Sequence, residues 1–129
     1  MDRKKVMVVD DDDAILDVIR DILEDEGYRV ATATNGREAL DRLRGDDTRP
    51  SLILLDLMMP VMDGWAFRSE QARDPELESI PVVVLSADAN VRSKADTLQV
   101  SGYLRKPVGM QELLDVLAAH CGEGTPPGS

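Results

Sequence analysis

The stretch Leu52-Ile53-Leu54-Leu55-Asp56 constrains the fold of this chain more than any other. Consecutive apolar residues that are soon followed by Pro60 and Gly64 are typical of a short strand buried on both faces. Asp56 would then be the last residue of that strand, where it leaves the sheet. Because ligands of open parallel sheets bind outside the carboxyl ends of the strands, Asp56 is a candidate site residue.

Other short apolar runs in the chain also end in polar residues. The predicted strands 5–9, 81–85 and 103–105 are followed by Asp10 and Asp11, by Ser86, and by Lys106. If these strands are parallel neighbours, then the three acids, the hydroxyl and the ammonium lie at one edge of the sheet.

Helical patterns alternate with the strands. Ile15, Val18, Ile19 and Ile22 have the spacing of an amphipathic helix, for which Asp13 is the predicted cap. Gly27 is expected to close this helix, and the more polar stretch 28–32 to form a strand at the edge of the sheet. Further helices are predicted near residues 36–43, 65–73, 91–98 and 110–117, with Trp65, Phe67 and the methionines in the core. The pattern predicts an α/β fold with a doubly wound, five-stranded parallel sheet.

Composition narrows the possible functions. The chain of 129 residues carries a net charge of −10, which disfavours direct contact with nucleic acid or anionic lipid. Its one cysteine and one histidine exclude an internal disulfide and a Ser-His or Cys-His triad, and the sparing use of thiols suits the cytoplasm. We expect neither a signal peptide nor a membrane span. Residues 1–121 are predicted to form one domain and residues 122–129 a flexible tail or linker stump.

The negative charges of the acids at this edge must be compensated by a cation. Carboxylates about 4 Å apart repel by roughly 4 kcal/mol at an effective dielectric constant near 20. An all-oxygen cluster with positions open to water and phosphate suits Mg²⁺. Lys106 and Ser86 could then bind a phosphoryl group that Asp56 accepts as nucleophile.

These residues carry a resemblance to a known family. Asp10-Asp11, Asp56, Met59-Pro60, Asp63-Gly64, Ser86-Ala87 and Lys106-Pro107 together resemble the signature of the receiver domain of two-component response regulators, including the chemotaxis regulators. The resemblance covers about residues 5–119. It implies a flavodoxin-like fold with strand order 2-1-3-4-5.

The resemblance assigns a role to each matching position. It implies that Asp56 accepts the phosphoryl group and also binds Mg²⁺, that Asp11 is a direct metal ligand and that Asp10 acts through bound water. The backbone carbonyl of Met58 is expected to complete the metal site. A bulky apolar side chain at this position could also slow the approach of hydrolytic water to the phosphoryl group.

Three further residues are expected to respond to phosphorylation. Ser86 matches the switch hydroxyl, Tyr103 the aromatic residue that turns inward with it, and Lys106 the phosphate-binding lysine. The Lys106–Pro107 peptide bond is expected to be cis. The interval from Ser86 to Lys106 is shorter than is usual in the family, which predicts a shortened fourth helix or exit loop.

The resemblance implies a regulatory switch rather than an enzyme, one that catalyses only its own phosphorylation and dephosphorylation. The expected donor is a phosphohistidine on a sensor histidine kinase or on a histidine phosphotransfer protein. The face formed by the fourth helix, the fifth strand and the last helix would then control binding to a protein target. We expect a monomer or a phosphorylation-dependent dimer.

Three alternatives remain at this point. A degenerate receiver could act as a docking module without phosphorylation. An aspartyl-nucleophile phosphatase needs a second Asp two positions after the nucleophile, where this chain has Met58. A flavodoxin-like FMN binder needs a phosphate loop rich in Ser or Thr after the first strand, where this chain has Asp10 to Asp13.

Overall fold

Strands and helices alternate strictly in this protein, as the sequence predicts. The computed structural model describes residues 4–45, 49–59 and 61–121. The predicted tail, residues 122–129, and Pro60 lie outside this part. The strands are β1 (Lys5–Val9), β2 (Arg29–Ala33), β3 (Leu52–Asp56), β4 (Val82–Ser86) and β5 (Gly102–Arg105). The helices are α1 (Asp13–Asp25), α2 (Gly36–Gly45), α3 (Gly64–Arg73), α4 (Val91–Leu98) and α5 (Met110–Cys121).

The strands form one parallel sheet in the order β2-β1-β3-β4-β5, which confirms the predicted topology. The chain moves outward from β1 to β2 and then returns to the other side of β1 as β3. The direction of winding therefore reverses between β1 and β3. In doubly wound sheets the crevice beyond the carboxyl ends of two such strands is the usual place for a ligand.

Both faces of the sheet are covered, because successive residues of the central strands enter different core clusters. In β1, Val6 and Val8 belong to a cluster that includes Leu16 and Leu117, from α1 and α5. Met7 and Val9 belong to another, with residues of α2 and α3. This explains why the central strands are continuously apolar instead of alternating.

The start of α1 corrects one prediction. Asp12, not Asp13, is the N-cap residue, and its Oδ1 accepts hydrogen bonds from the backbone amides of Ala14 and Ile15. Any of the consecutive aspartates could have capped the helix by residue type, so the sequence pattern did not distinguish them. Gly27 follows the helix with a φ of 93°, which agrees with its predicted role in ending α1.

The prediction that all methionines are core residues is wrong for two of them. Met7 is 2% exposed and Phe67 is fully buried, whereas Met58 and Met110 are 70% and 59% exposed. Met58 lies in the loop after β3 and Met110 begins α5, so neither is on a face that packs against the sheet. Trp65 is partly buried.

The carboxyl end of α4 is tied to α3 by one side chain. The guanidinium of Arg68 donates from Nε to the carbonyl of Leu98 and from Nη2 to the carbonyl of Gln99, both at 3.1 Å. Gln99 itself has a φ of 56°, the left-handed conformation that often ends a helix. Arg68 therefore satisfies carbonyl groups that the end of α4 leaves without helical partners.

In the part of the chain that the structure describes, the helices are too short or too polar for any of them to cross a bilayer.

Candidate functional site

The topology brings the predicted site residues to the crevice between β1 and β3. Asp10 directly follows β1 and Asp56 is the last residue of β3, while Ser86 ends β4 and Lys106 follows β5. The register pairs Asp56 with Leu85 and Ser86 with Arg105, so these strands end at nearly the same level. Four separate strands thus supply side chains to one edge, as the sequence predicts.

Three carboxylates form the acidic part of the site. One oxygen each from Asp10, Asp11 and Asp56 can be chosen so that all lie within 4.8 Å of one another. Asp10 is fully buried and Asp56 is 6% exposed, whereas Asp11 is open to solvent. The donor set consists of three hard carboxylates, two buried and one open to solvent, and this chemistry fits Mg²⁺.

Lys106 lies between two of the acids. Its Nζ is 2.7 Å from Oδ2 of Asp10 and 3.6 Å from Oδ1 of Asp56, and the side chain is 19% exposed. Burial acts to lower the pKa of Lys106, but the hydrogen bond and charge of Asp10, together with Asp56, outweigh it. The pKa of Lys106 is therefore raised, and the ammonium stays charged at neutral pH.

Asp56 lies in an environment that disfavours its ionised form. Burial, followed by the negative charge of Asp10, raises the pKa of Asp56 to about 6, although Lys106 acts in the opposite direction. A hydrogen bond of 3.4 Å from the amide of Met58 is too long to offset this. The carboxylate is consequently a group that added positive charge would stabilise.

Asp56 also opens onto a cavity of about 360 Å³. Its lining includes Asp56, Met58, Ser86, Ala87, Asp88, Lys94 and Lys106. The hydroxyl oxygen of Ser86, which is 6% exposed, accepts a hydrogen bond of 3.1 Å from the amide of Asp88. The cavity therefore presents a carboxylate, a hydroxyl and two ammonium groups to the same space.

The loop from β3 to α3 packs closely beneath the site. A Cβ atom on Gly64 would lie 2.8 Å from the carbonyl oxygen of Asp56 and from Cα of Leu57, so glycine is needed for this approach. Val61, which is 84% exposed, has a φ of 65°, a conformation that β-branched residues rarely adopt. Asp63 caps α3 by accepting from the amide of Ala66.

The structure brings together most, but not all, of the residues predicted for the site. Asp10, Asp11, Asp56, Ser86, Lys106 and Met58 all converge on the crevice or line its cavity. Tyr103 is on β5 and is 42% exposed, away from the lining of this cavity. The Lys106–Pro107 bond is cis, as predicted.

The sequence did not indicate Lys94 as a residue of the cavity, and it did not show why glycine is needed at position 64. Lys94 is on α4, six positions beyond Asp88, and only the path of the intervening loop brings the two side chains together. The pair of Asp63 and Gly64 was noticed as part of a motif, but the close approach of Gly64 to the β3 backbone could not be seen in a pattern of residue types.

A second, largely apolar cavity of about 470 Å³ adjoins the site on the side of α1. Its lining consists of Ala14, Ile15, Val18, Ile19, Leu85, Ala87, Lys106, Pro107 and Val108. Val18 is 58% exposed, which is high for a valine on an amphipathic helix. Lys106 contributes to both cavities, so this apolar surface lies close to the acidic crevice.

Comparison with known proteins agrees with this geometry. The sequence pattern of the response regulator receiver domain matches residues 6–118. The polar-differentiation response regulator DivK of Brucella anthropi is 31% identical over 123 residues, which are 93% of this chain and 98% of DivK.

Solved structures show the same architecture. The chemotaxis protein CheY4 of Vibrio cholerae superposes with a TM-score of 0.83 at 30% identity, covering 92% of this chain and 99% of CheY4. The receiver domain of a sensor histidine kinase from Pseudomonas aeruginosa gives a TM-score of 0.84 at 26% identity, covering 95% of this chain and all of that domain. That structure has a magnesium ion coordinated in its active-site cleft. Receiver domains are regulatory phosphoacceptor domains that bind Mg²⁺ at an acidic cluster, and this chain belongs to the response regulator receiver family.

Proposed function

We propose that this protein is a signalling switch in which Asp56 accepts a phosphoryl group from a phosphohistidine in the presence of Mg²⁺. The observation that carries the proposal is the position of Asp56, whose carboxylate faces a cavity also lined by Ser86 and Lys106 and lies within 4.8 Å of the other acids. Each group that the transfer requires is thus within reach of the same space.

The transfer moves one phosphoryl group between two side chains. An oxygen of Asp56 attacks phosphorus and forms a P–O bond, while the P–N bond to the donor histidine breaks. The electron pair of the broken bond goes to the imidazole nitrogen, which leaves as a neutral imidazole after taking a proton. The product is an acyl phosphate on Asp56.

Asp10, Asp11 and Asp56, with the backbone carbonyl of Met58, would hold the magnesium ion. When bound, the metal supplies positive charge that offsets the carboxylates and the phosphoryl oxygens. The raised pKa of Asp56 supports this assignment, since it indicates a site in which negative charge is incompletely compensated.

Lys106 and Ser86 would bind the transferred group. Lys106 is 3.6 Å from Asp56 and needs only a small movement to contact a phosphoryl oxygen attached there. The hydroxyl oxygen of Ser86 accepts a hydrogen bond from the amide of Asp88, so its hydroxyl proton remains available for donation to a phosphoryl oxygen. Both groups therefore favour the phosphorylated form over the free carboxylate.

A change in the orientation of Ser86 would transmit the effect of phosphorylation from the site to the surface of the protein. Tyr103 is paired in register with Val84, two positions before Ser86, and its exposed ring leaves it free to turn inward. We infer that α4, β5 and α5 form the face that responds. Shifting such an equilibrium from 1:99 to 99:1 takes about 5.5 kcal/mol of differential stabilisation.

The apolar cavity beside α1 supports a protein donor as partner. Its lining adjoins Lys106, so a helix of a sensor kinase or of a histidine phosphotransfer protein could pack on Ile15 and Val18 while its histidine reaches Asp56. The net charge of −10 does not favour nucleic acid as a direct partner. We expect this exchange to take place in the cytoplasm, with the receiver as a monomer or as a dimer formed on phosphorylation.

The deciding experiment is the intact mass of the protein after incubation with acetyl phosphate, with and without Mg²⁺, beside an Asp56→Asn control. A single Mg²⁺-dependent phosphoryl adduct, absent from the control, is the expected result. If no adduct forms with acetyl phosphate or with a phosphorylated histidine donor under a quench that preserves acyl phosphates, the switch is refuted in favour of a phosphorylation-independent docking module.

A further inference from the structure

A second ammonium group shares the cavity with Asp56. Lys94 is on α4 and, like Lys106, lines the space of about 360 Å³ above the carboxylate. Lys106 is already engaged by the buried Asp10 and by Asp56. Lys94 makes no such contact with either acid. It is the cation of this cavity that the proposed chemistry has not yet used.

Asp88 determines where Lys94 lies in the unphosphorylated protein. The Nζ of Lys94 is 2.5 Å from Oδ2 of Asp88, and this hydrogen bond is the main cause of the lowered pKa of Asp88. Oδ1 of Asp88 accepts a hydrogen bond of 2.7 Å from the amide of Asn90, just before α4. The amide of Asp88 donates to Ser86. One residue therefore connects the hydroxyl of Ser86, the start of α4 and the ammonium of Lys94.

The ion pair between Asp88 and Lys94 can be exchanged. The two side chains are 39% and 30% exposed, and ion pairs that solvent reaches contribute little to stability. An acyl phosphate on Asp56 would place a group with a charge of up to −2 in the cavity, where the free carboxylate has a charge of −1. A phosphoryl group is thus a stronger competitor for the ammonium than one exposed carboxylate.

We propose that Lys94 is a second phosphoryl-binding cation, which Asp88 holds aside until Asp56 is phosphorylated. This inference rests on the proposed function, because it assigns a ligand residue to the same phosphoryl group. Since Lys94 is on α4, its change of partner pulls directly on a helix of the responding face. Phosphorylation would then act on α4 directly through Lys94, in addition to any effect that passes through Ser86 and Tyr103.

Beryllium trifluoride with Mg²⁺ is a suitable probe, because it mimics a phosphoryl group on an aspartate without being hydrolysed. Its dissociation constant can be followed by the fluorescence of Trp65, the only tryptophan of the chain, which directly follows Gly64 beneath the site. The variants are Lys94→Gln, Asp88→Asn and the two combined. Arg92→Gln is the matched control, since it removes an exposed charge from the same helix outside the cavity lining.

Lys94→Gln and Asp88→Asn are expected to change the affinity for beryllium trifluoride in opposite directions. Lys94→Gln weakens binding of beryllium trifluoride about tenfold relative to Arg92→Gln, the size of one charge-assisted hydrogen bond. Asp88→Asn increases the affinity for the probe because it releases Lys94. In the double variant, which also carries Lys94→Gln, this increase is absent. Lys94→Arg, which keeps the charge, binds within about threefold of the wild type.

Other patterns overturn the inference. If Lys94→Gln binds the probe as tightly as Arg92→Gln, then Lys94 does not contact the phosphoryl group. If Asp88→Asn and Lys94→Gln weaken binding equally, the pair is only a clamp at the start of α4. A wild-type protein that binds no beryllium trifluoride and forms no phosphoryl adduct would instead refute the proposed function, so the two failures are distinguishable.

Discussion

Replacing Asp56 with asparagine should stabilise the metal-free protein at neutral pH. Burial and the charge of Asp10 raise the pKa of Asp56 from its ordinary value of 3.8 to about 6. Between pH 3.8 and about pH 6, Asp56 is therefore still protonated in the folded protein but already ionised in the unfolded chain. Folding stability therefore falls as pH rises through this window, and the full cost of the ionised Asp56 is present at pH 7.

The size of this stabilisation follows from the shift in the pKa of Asp56. A difference of about two pKa units corresponds to about 3 kcal/mol at pH 7 and to only about 0.5 kcal/mol at pH 4. Asparagine removes the charge but does not reproduce a protonated carboxyl group, so we expect Asp56→Asn to gain about 2 kcal/mol at pH 7. For a chain of this length that gain raises Tm by roughly 8 °C.

Urea unfolding in the presence of EDTA, at pH 7 and at pH 4, measures this gain. Asp41→Asn, which neutralises an exposed aspartate on α2, is the matched control and should change the free energy of unfolding little at either pH. Addition of Mg²⁺ should then stabilise the wild type more than Asp56→Asn. A gain that is equal at the two pH values, or a loss at pH 7, would refute the argument from the site's uncompensated charge.

Four further substitutions test individual contacts. Lys106→Gln should lower the free energy of unfolding by about 3 kcal/mol in urea titrations, because it leaves the buried Asp10 without its cation. Gly64→Ala should cost about 2 kcal/mol or more in the same assay, since its methyl group would lie 2.8 Å from the backbone at the end of β3. Val61→Gly should raise stability by about 1 kcal/mol, because it relieves a left-handed β-branched residue. Met58→Asn should shorten the half-life of the phosphorylated protein severalfold in a timed mass assay, if the exposed Met58 side chain keeps water from the phosphoryl group.

The sequence predicted the parts of this fold that depend on local patterns. Apolar runs such as residues 52–55 marked the strands, and the polar residue after each run marked the site, because parallel strands align their carboxyl ends. What it could not predict depends on short-range geometry. Asp12 and Asp13 are equivalent as capping residue types, and only the helix start distinguishes them. The contact between Asp88 and Lys94 depends on the path of a loop, which no periodicity encodes.

The hydrogen bonds from Arg68 make the two ends of α4 unequal. The carboxyl end is held to α3 by Arg68 through the carbonyls of Leu98 and Gln99, and none of these three residues lines the cavity above Asp56. The amino end is held by Asp88 through the amide of Asn90. The other two partners of Asp88, Ser86 and Lys94, line the phosphorylation cavity. A change in the cavity would therefore swing α4 about Arg68 as a pivot instead of sliding the whole helix. The largest displacement would occur at the amino end of α4, where Val91 is buried and Arg92 is exposed, so Arg92 is the residue that a partner distinguishing the two states should contact.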